Sequence, residues 1–179
     1  MKRIGSVLGT LALIVVIALV VGWAALNQQT DSITQPTTPP PAAEQGIPEG
    51  ATQAVVEYVH DGDTLFLEDG RKVRMLGIDT PEIGKNLACY GPEATDLLRQ
   101  LLPEGSTVWV LSDIEPTDQY GRSLLFVYTE DGTNVNIAML ESGAAQVEMY
   151  SPNYLFRDQI EAAEQAARDA GAGLWGQCR

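Results

Sequence analysis

Residues Val59–Glu82 read V-H-D-G-D-T-L-F-L-E-D-G-R-K-V-R-M-L-G-I-D-T-P-E. Two runs in this stretch, Thr64–Leu67 and Lys72–Ile78, alternate apolar with polar residues on either side of the turn E-D-G at 68–70. Such alternation around an Asp-Gly pair is typical of a β-hairpin. The stretch therefore predicts two antiparallel strands, and the end of the second strand should return to the start of the first.

Carboxylates flank this hairpin at both ends. Asp61 and Asp63 precede the first strand. Asp79 and Glu82 follow the second strand, so we expect all four carboxylates at one rim, where like charges are costly unless a cation offsets them. Asp63, Asp79 and the backbone carbonyl of Thr80 offer hard oxygen ligands, which suit Ca²⁺ or Mg²⁺ better than zinc. The alternative is that these residues only form turns.

Three further side chains could act beside such an ion. Glu82 would act as a general base or orient a water molecule, although alone it could be an exposed loop residue. Arg74 and Arg122 carry guanidinium groups that match phosphate oxygens, although each could instead form a surface salt bridge. Arg74 alternates with apolar neighbours, so it should face away from the apolar side unless the barrel interior opens at this rim. Together these residues predict attack on a phosphodiester.

The N-terminal part differs from the rest of the chain. Lys2 and Arg3 precede an uncharged, largely apolar stretch at residues 5–26, which is long enough to span a bilayer. We predict a signal anchor or transmembrane helix over residues 1–26, with the rest of the chain outside the cell membrane. Cleavage of a signal peptide and secretion is the alternative, and a buried soluble helix is a further one.

Residues 27–50 are rich in Pro, Thr and Gln and predict a disordered linker. Residues 51–179 should fold, and the hairpin strands there are joined by three more strands and three helices. The strands are predicted at Gln53–Val59, Ser106–Leu111 and Arg122–Tyr128, and the helices from Gly91 to Leu102, at Val135–Ser142 and at Leu155–Ala170. This order predicts an α+β, mainly β fold, a small closed barrel of the oligonucleotide-binding (OB) type.

Five motifs occur in a fixed order: D-G-D-T at 61–64, R-x-x-x-x-D-T-P-E at 74–82, Y-G-P-E-A at 90–94, D-x-Y-G-R at 118–122 and G-L-W at 173–175. In this order they resemble the staphylococcal nuclease (thermonuclease) family over about residues 53–176. The resemblance implies a five-stranded OB-fold barrel with three helices. It also implies an endonuclease that cuts DNA and RNA to 3′-phosphorylated fragments.

The resemblance also assigns roles to individual residues. It implies that Asp63, Asp79 and the Thr80 carbonyl hold Ca²⁺, and that Asp61 lies just outside these ligands. It implies that Glu82 activates or positions water. Two arginines, Arg74 and Arg122, would hold the phosphate and stabilise the transition state.

The chain departs from the family on the substrate-holding surface. The loop at 83–89 is short and contains only one lysine, Lys85. Tyr150 matches one of two family tyrosines that pack against the nucleotide, but Glu148 stands in place of the other. Gln119 replaces a basic residue beside Tyr120. We expect weaker substrate binding or a different preference, with Tyr120 and Tyr150 as the candidates for base stacking.

Cys89 and Cys178 are the two cysteines of the chain. Outside a membrane, two cysteines in such a domain are expected to form a disulfide, and two free buried thiols are the alternative. The lone histidine, His60, has no partners for a catalytic triad, so we expect it to be a rim residue.

The sequence thus favours a membrane-anchored, Ca²⁺-dependent nuclease with DNA and RNA as substrates. No protein partner is evident, and we expect a monomer. The formal net charge of −13 is unexpected for such a function, because phosphates favour basic surfaces. It supports the alternative of a non-catalytic module that binds nucleic acid or protein. A calcium-dependent structural domain on a stalk is a third hypothesis, against which the paired arginines argue.

Overall fold

The structure is a computed structural model that describes residues 46–178. The strands are β1 (Thr52–Val59), β2 (Thr64–Leu67), β3 (Lys72–Met75), β4 (Gly77–Asp79), β5 (Thr107–Leu111), β6 (Ser123–Tyr128) and β7 (Gln146–Glu148). The α-helices are α1 (Gly91–Leu101), α2 (Val135–Glu141), α3 (Arg157–Ala170) and α4 (Leu174–Gln177), and a 3-10 turn covers Gly84–Asn86.

The predicted membrane helix at 1–26 and most of the predicted linker lie outside the described residues. Within 46–178, no helix has the length and apolar character needed to cross a bilayer. Gly46, at the end of the predicted linker, lies against the folded domain: a Cβ built on Gly132 would be only 2.8 Å from the Gly46 Cα atom.

Five strands close into a barrel in the order β1-β2-β3-β6-β5. All neighbours are antiparallel except β3 and β6, which run parallel. These are the five strands expected from the sequence, and the closed barrel with its three longer helices is consistent with an OB fold. The predicted hairpin is β2–β3, in which Thr64 pairs with Arg74 and Leu65 pairs with Val73.

The predicted third strand, Lys72–Ile78, does not run unbroken. It ends at Met75, and β4 begins at Gly77, which has a φ of 76°. A Cβ atom on Gly77 would lie 2.5 Å from the Ile160 Cδ1 atom of α3, so this position requires glycine. The chain therefore leaves the barrel here, and β4 pairs with β7 in a separate two-stranded sheet.

Asn136, on α2, is fully buried and fixes the point where the chain leaves the barrel. Its Oδ1 accepts a hydrogen bond from the Val127 N–H at 2.9 Å, and its Nδ2 donates to the Leu76 carbonyl at 2.8 Å. The amide thus satisfies backbone groups that the broken strand leaves without sheet partners.

The helices bury the apolar faces expected from their spacing. Ile160, Ala163 and Ala167 of α3 are buried, and the Phe156 ring packs edge-to-face on Phe126 with centroids 4.8 Å apart. The third helix begins at Arg157 and not at Leu155 as predicted.

Cys89 and Cys178 form the predicted disulfide, with Cα atoms 5.8 Å apart. It connects the segment before α1 to the residue that follows α4.

Candidate active site

Asp63 lies at the start of β2 and is 7% exposed. One carboxylate oxygen, Oδ2, accepts hydrogen bonds from the backbone N–H of Thr80 at 3.0 Å and from its hydroxyl at 3.1 Å. The other oxygen accepts from the Thr64 hydroxyl at 3.0 Å. Asp61 stands outside this carboxylate and accepts a hydrogen bond from the Asp63 backbone N–H at 3.2 Å. The hairpin therefore brings its two ends together, as the sequence predicts.

Gly62 allows this close approach. A Cβ atom at position 62 would lie 2.6 Å from the Thr80 hydroxyl oxygen and 2.8 Å from its Cβ. Any side chain would push the Asp61–Asp63 turn away from Thr80, so the Asp-Gly-Asp motif contains glycine for a steric reason.

Arg74 links the carboxylates of the site. Its Nη1 lies 2.5 Å from Asp63 Oδ2, and its Nη2 donates to Asp79 Oδ1 at 2.7 Å and to Glu148 Oε2 at 2.8 Å. Two ends of the hairpin and the distant strand β7 thus converge on one guanidinium.

Arg74 is buried, although the sequence predicts that it faces away from the apolar side unless the barrel interior opens at this rim. The residue is 4% exposed, and its neighbours Val73 and Met75 are fully buried as well. The face of β3 that carries Arg74 is therefore covered at this end of the hairpin, whereas Lys72 on the same face is exposed. A buried guanidinium is tolerated here because three carboxylates neutralise it.

The Nη1 atom of Arg74 is an incompletely satisfied donor. Nη1 carries two N–H groups, and its ion pair with Asp63 at 2.5 Å accounts for one of them. Among residues 46–178 no acceptor has hydrogen-bonding geometry to this atom, so the other N–H can donate to water or to an anionic oxygen of a ligand.

Burial also changes the acidity of the aspartates. Desolvation raises the pKa of Asp63 to about 6, with a further rise from the negative charge of Asp61, while Arg74 opposes the shift. Burial, and then the neighbouring charge of Glu148, raise the pKa of Asp79 above its ordinary value. The negative charge of Glu82 makes a smaller contribution in the same direction to the pKa of Asp79.

Glu82 is exposed and forms no side-chain hydrogen bond within the described part of the chain. Its backbone is held firmly, because its carbonyl accepts from the Ala88 N–H at 2.9 Å. Gly91 packs against the same carbonyl, where a Cβ atom would lie at 2.4 Å. Glu82 is thus a free carboxylate on a fixed backbone, close to the disulfide at Cys89.

Arg122 forms its ion pair with Asp118. Its Nε donates to Asp118 Oδ2 at 2.6 Å, and its guanidinium lies over the Tyr120 ring at 5.7 Å. Asp118 Oδ1 also accepts from the backbone N–H groups of Tyr120 and Arg122, which closes the loop into a turn. Asp118 lies in the motif D-x-Y-G-R, but the sequence analysis did not identify it as the partner of Arg122.

The two candidate stacking residues differ in environment. Tyr120 is 76% exposed, so its ring is free to meet a base. Tyr150 is partly exposed, and its hydroxyl donates to Glu148 Oε2 at 2.5 Å. The contact between Glu148 and Arg74 was not anticipated, because only the β4–β7 pairing brings these two residues together.

The donor set fits a hard cation with few protein ligands. Asp63, Asp79 and Thr80 supply only oxygen, and Asp79 Oδ2 accepts no hydrogen bond from residues 46–178. The described residues hold no group of three or more His, Cys, Asp or Glu side chains placed to bind an ion. An ion held only by Asp63, Asp79 and the Thr80 carbonyl would leave most of its positions to water and substrate.

The fold places this protein among the small closed β-barrels, and its candidate site combines acidic side chains with an arginine. Comparison with known proteins defines its family: residues 72–177 match the staphylococcal nuclease homologue family. The thermonuclease of Staphylococcus intermedius is 34% identical over 127 residues, which cover 68% of this chain and 74% of that protein. An uncharacterized endonuclease of Escherichia coli O157:H7 is 38% identical over 124 residues, which cover 67% and 74%. The chain therefore belongs to the staphylococcal nuclease homologue family.

A third relative is much longer than this chain. Endonuclease YhcR of Bacillus subtilis strain 168 is 32% identical over 156 residues, which cover 76% of this chain but only 12% of that protein. The chain corresponds to one segment of that relative.

Proposed function

We propose that this protein is a Ca²⁺-dependent nuclease that hydrolyses DNA and RNA to 3′-phosphorylated products. The observation that carries the proposal is the buried guanidinium of Arg74, which contacts Asp63 and Asp79 and retains a donor without an acceptor. A binding surface has no need of a cation buried among acids. A site that must hold both a metal ion and a phosphate needs this combination.

Each group has a role in this proposal. Asp63, Asp79 and the Thr80 carbonyl would hold Ca²⁺, which would supply positive charge to the phosphate. Arg74 donates its free N–H to a phosphate oxygen. Glu82 accepts a proton from the attacking water. The water oxygen forms a bond to phosphorus and the bond from phosphorus to the 5′ oxygen breaks. The leaving oxygen takes a proton from a water molecule, and Glu82 returns its own proton to the solvent.

Arg122 would donate to a phosphate oxygen through Nη1 and Nη2, while Asp118 continues to hold its Nε. Tyr120 is the exposed ring in the same turn and would stack on a base of the bound strand.

We propose that the protein acts outside the cell membrane as a monomer, held there by an N-terminal helix over residues 1–26. The disulfide supports an oxidising location. Secretion after cleavage of the N-terminal segment is the alternative.

A non-catalytic, nucleic-acid-binding or protein-binding role is the second candidate. It is favoured by the pairing of both arginines with carboxylates, which leaves an acidic surface with little free positive charge. Phosphate binding would then be weak, and no bond would be broken.

A cleavage assay separates the two candidates. Full-length protein in detergent is mixed with fluorescent DNA and RNA oligonucleotides in Ca²⁺ and then in chelator, and the end groups of the products are analysed. We expect chelator to stop cleavage and Glu82→Gln to lower kcat roughly 10²- to 10⁴-fold. The matched variant Glu93→Gln, which removes an exposed carboxylate on α1, should cleave like wild type. Binding without cleavage would support the second candidate, and cleavage in chelator would contradict the first.

A further inference from the structure

Glu148 accepts a hydrogen bond from the guanidinium of Arg74, which the proposed reaction requires for phosphate binding. The Nη2 atom of Arg74 carries two N–H groups. One donates to Asp79 Oδ1 at 2.7 Å and the other to Glu148 Oε2 at 2.8 Å, so Nη2 has no free donor. A phosphate can bind through Nη2 only if one of these carboxylates moves away.

The position of Glu148 is set by the fold. It lies on β7, opposite Gly77 of β4, so the small sheet delivers its side chain to the barrel opening. The Tyr150 hydroxyl donates to the same carboxylate oxygen. Arg74 Nη2 and the Tyr150 hydroxyl therefore both donate to Glu148 Oε2 and hold this side chain beside Arg74.

Glu148 is the carboxylate that can leave Arg74 without disturbing the proposed metal ligands, although the Asp79 side chain is more exposed, at 53%. The side chain of Asp63 is 10% exposed, and Asp63 accepts hydrogen bonds from Thr80 and Thr64. The Glu148 side chain is 41% exposed, so its carboxylate can reach water at low cost. Asp79 is exposed as well, but our proposed function assigns it to the metal ion.

We propose that Glu148 occupies part of the phosphate-binding position on Arg74 and competes with the substrate for it. This inference rests on the proposed function. A phosphate that uses Nη2 as well as the free N–H of Nη1 must displace the Glu148 carboxylate and overcome its negative charge, so Glu148 weakens the binding of nucleotides and chains alike. A polynucleotide gains further contacts along the strand, for example at Tyr120, and these offset the loss, whereas a mononucleotide binds weakly.

The test is a calorimetric titration of thymidine 5′-monophosphate into the full-length protein in detergent with Ca²⁺. Glu148→Gln removes the charge and keeps the shape, and Glu148→Ala removes the competitor entirely. We expect the nucleotide to bind roughly three- to tenfold more tightly to Glu148→Ala, with Glu148→Gln between that variant and wild type. The control Glu104→Gln, which removes an exposed carboxylate in the turn after α1, should bind like wild type.

The same variants are compared in oligonucleotide cleavage. We expect KM to fall with kcat nearly unchanged, which shows that Glu148 acts on phosphate binding and not on the chemical step. If Glu148 only held Arg74 in place, the result would be the opposite, since the loss of Glu148 would raise KM and lower kcat.

Unchanged or weaker nucleotide binding in folded Glu148→Ala would overturn the inference, and if that variant does not fold, the Glu148→Gln titration decides. The titration does not depend on cleavage. Tighter binding by the variants of a protein that cleaves nothing would sustain the competition and reject the proposed nuclease function.

Discussion

Thr80 donates two hydrogen bonds to a single carboxylate oxygen of Asp63, from its backbone N–H at 3.0 Å and from its hydroxyl at 3.1 Å. The two residues are 17 positions apart, and both are buried. This pair fixes the distance between the start of β2 and the segment after β4. Because Asp63 and the Thr80 carbonyl are both proposed metal ligands, the pair also positions the oxygen atoms around the proposed ion.

Thr80→Val tests this link, because it removes the hydroxyl and keeps the backbone N–H and the shape. A hydrogen bond to a charged group contributes roughly 1.5–3 kcal/mol, so we expect a loss of that order in the free energy of unfolding, measured in urea. Thr80→Ser keeps the hydroxyl and should recover most of the stability. Equal stability of the valine variant and wild type would show that the hydroxyl contributes nothing.

The raised pKa of Asp63 predicts a pH-dependent Ca²⁺ requirement. A proton and a metal ion compete for this carboxylate, and the pKa in the metal-free protein is about 6. Above pH 6 the carboxylate is ionised and the Ca²⁺ concentration for half-maximal cleavage should be constant. Below pH 6 this concentration should rise roughly tenfold per pH unit.

Asp61→Asn is the matched variant for this titration. Asp61 raises the pKa of Asp63, so its neutralisation should move the onset of the rise to lower pH. A Ca²⁺ requirement that stays flat between pH 7 and pH 5 would contradict the assignment of Asp63 as a ligand.

The disulfide between Cys89 and Cys178 should contribute strongly to stability. It closes a loop with a sequence separation of 89, and the chain-entropy model gives roughly 4–5 kcal/mol for a loop of this size. Cys178→Ser, measured by denaturant unfolding, should lose stability by about that amount. Addition of a reductant should lower wild type to the same value and leave the variant unchanged. A variant as stable as wild type would refute the prediction.

Asn136→Ala should be more damaging than a substitution at the nearby helix cap. Removal of the buried amide leaves the Val127 N–H and the Leu76 carbonyl without partners, which costs roughly 1–3 kcal/mol for each group. Asn134 caps α2 by accepting from the Ile137 N–H, so Asn134→Ala should cost about 1 kcal/mol. Similar losses in both variants, measured by thermal and urea unfolding, would contradict this account of Asn136.

The sequence was sufficient to predict the barrel strands and the longer helices because their periodicity extends over several residues. It was also sufficient to predict that Asp63 and Asp79 lie at the same rim, since the end of a hairpin returns to its start. In the structure both residues contact Arg74. It was not sufficient to predict β7, which has three residues and shows too little alternation to be recognised. Gly77 was an available signal, because a glycine inside a strand pattern often marks a break or a close backbone approach.

The contacts of the two arginines could not be predicted for a related reason. Arg74 meets Glu148 only because the chain turns at Gly77, which has a positive φ, and β4 then pairs with β7 outside the barrel. Arg122 pairs with Asp118 through a turn. No pattern of residue types distinguishes that pairing from an arginine that faces the site.

The central claim is that one divalent ion, held in part by Asp79, makes this barrel a nuclease. Asp79→Asn and Asp69→Asn are matched, since each removes one carboxylate that pairs with an arginine, at the end of β4 and in the β2–β3 turn respectively. Calorimetric titration of Ca²⁺ into the full-length protein, with cleavage rates measured on the same samples, tests the claim most directly. We predict one Ca²⁺ bound and rapid cleavage for wild type and Asp69→Asn, with both lost or strongly reduced in Asp79→Asn. Wild-type Ca²⁺ affinity and cleavage in Asp79→Asn would contradict the claim.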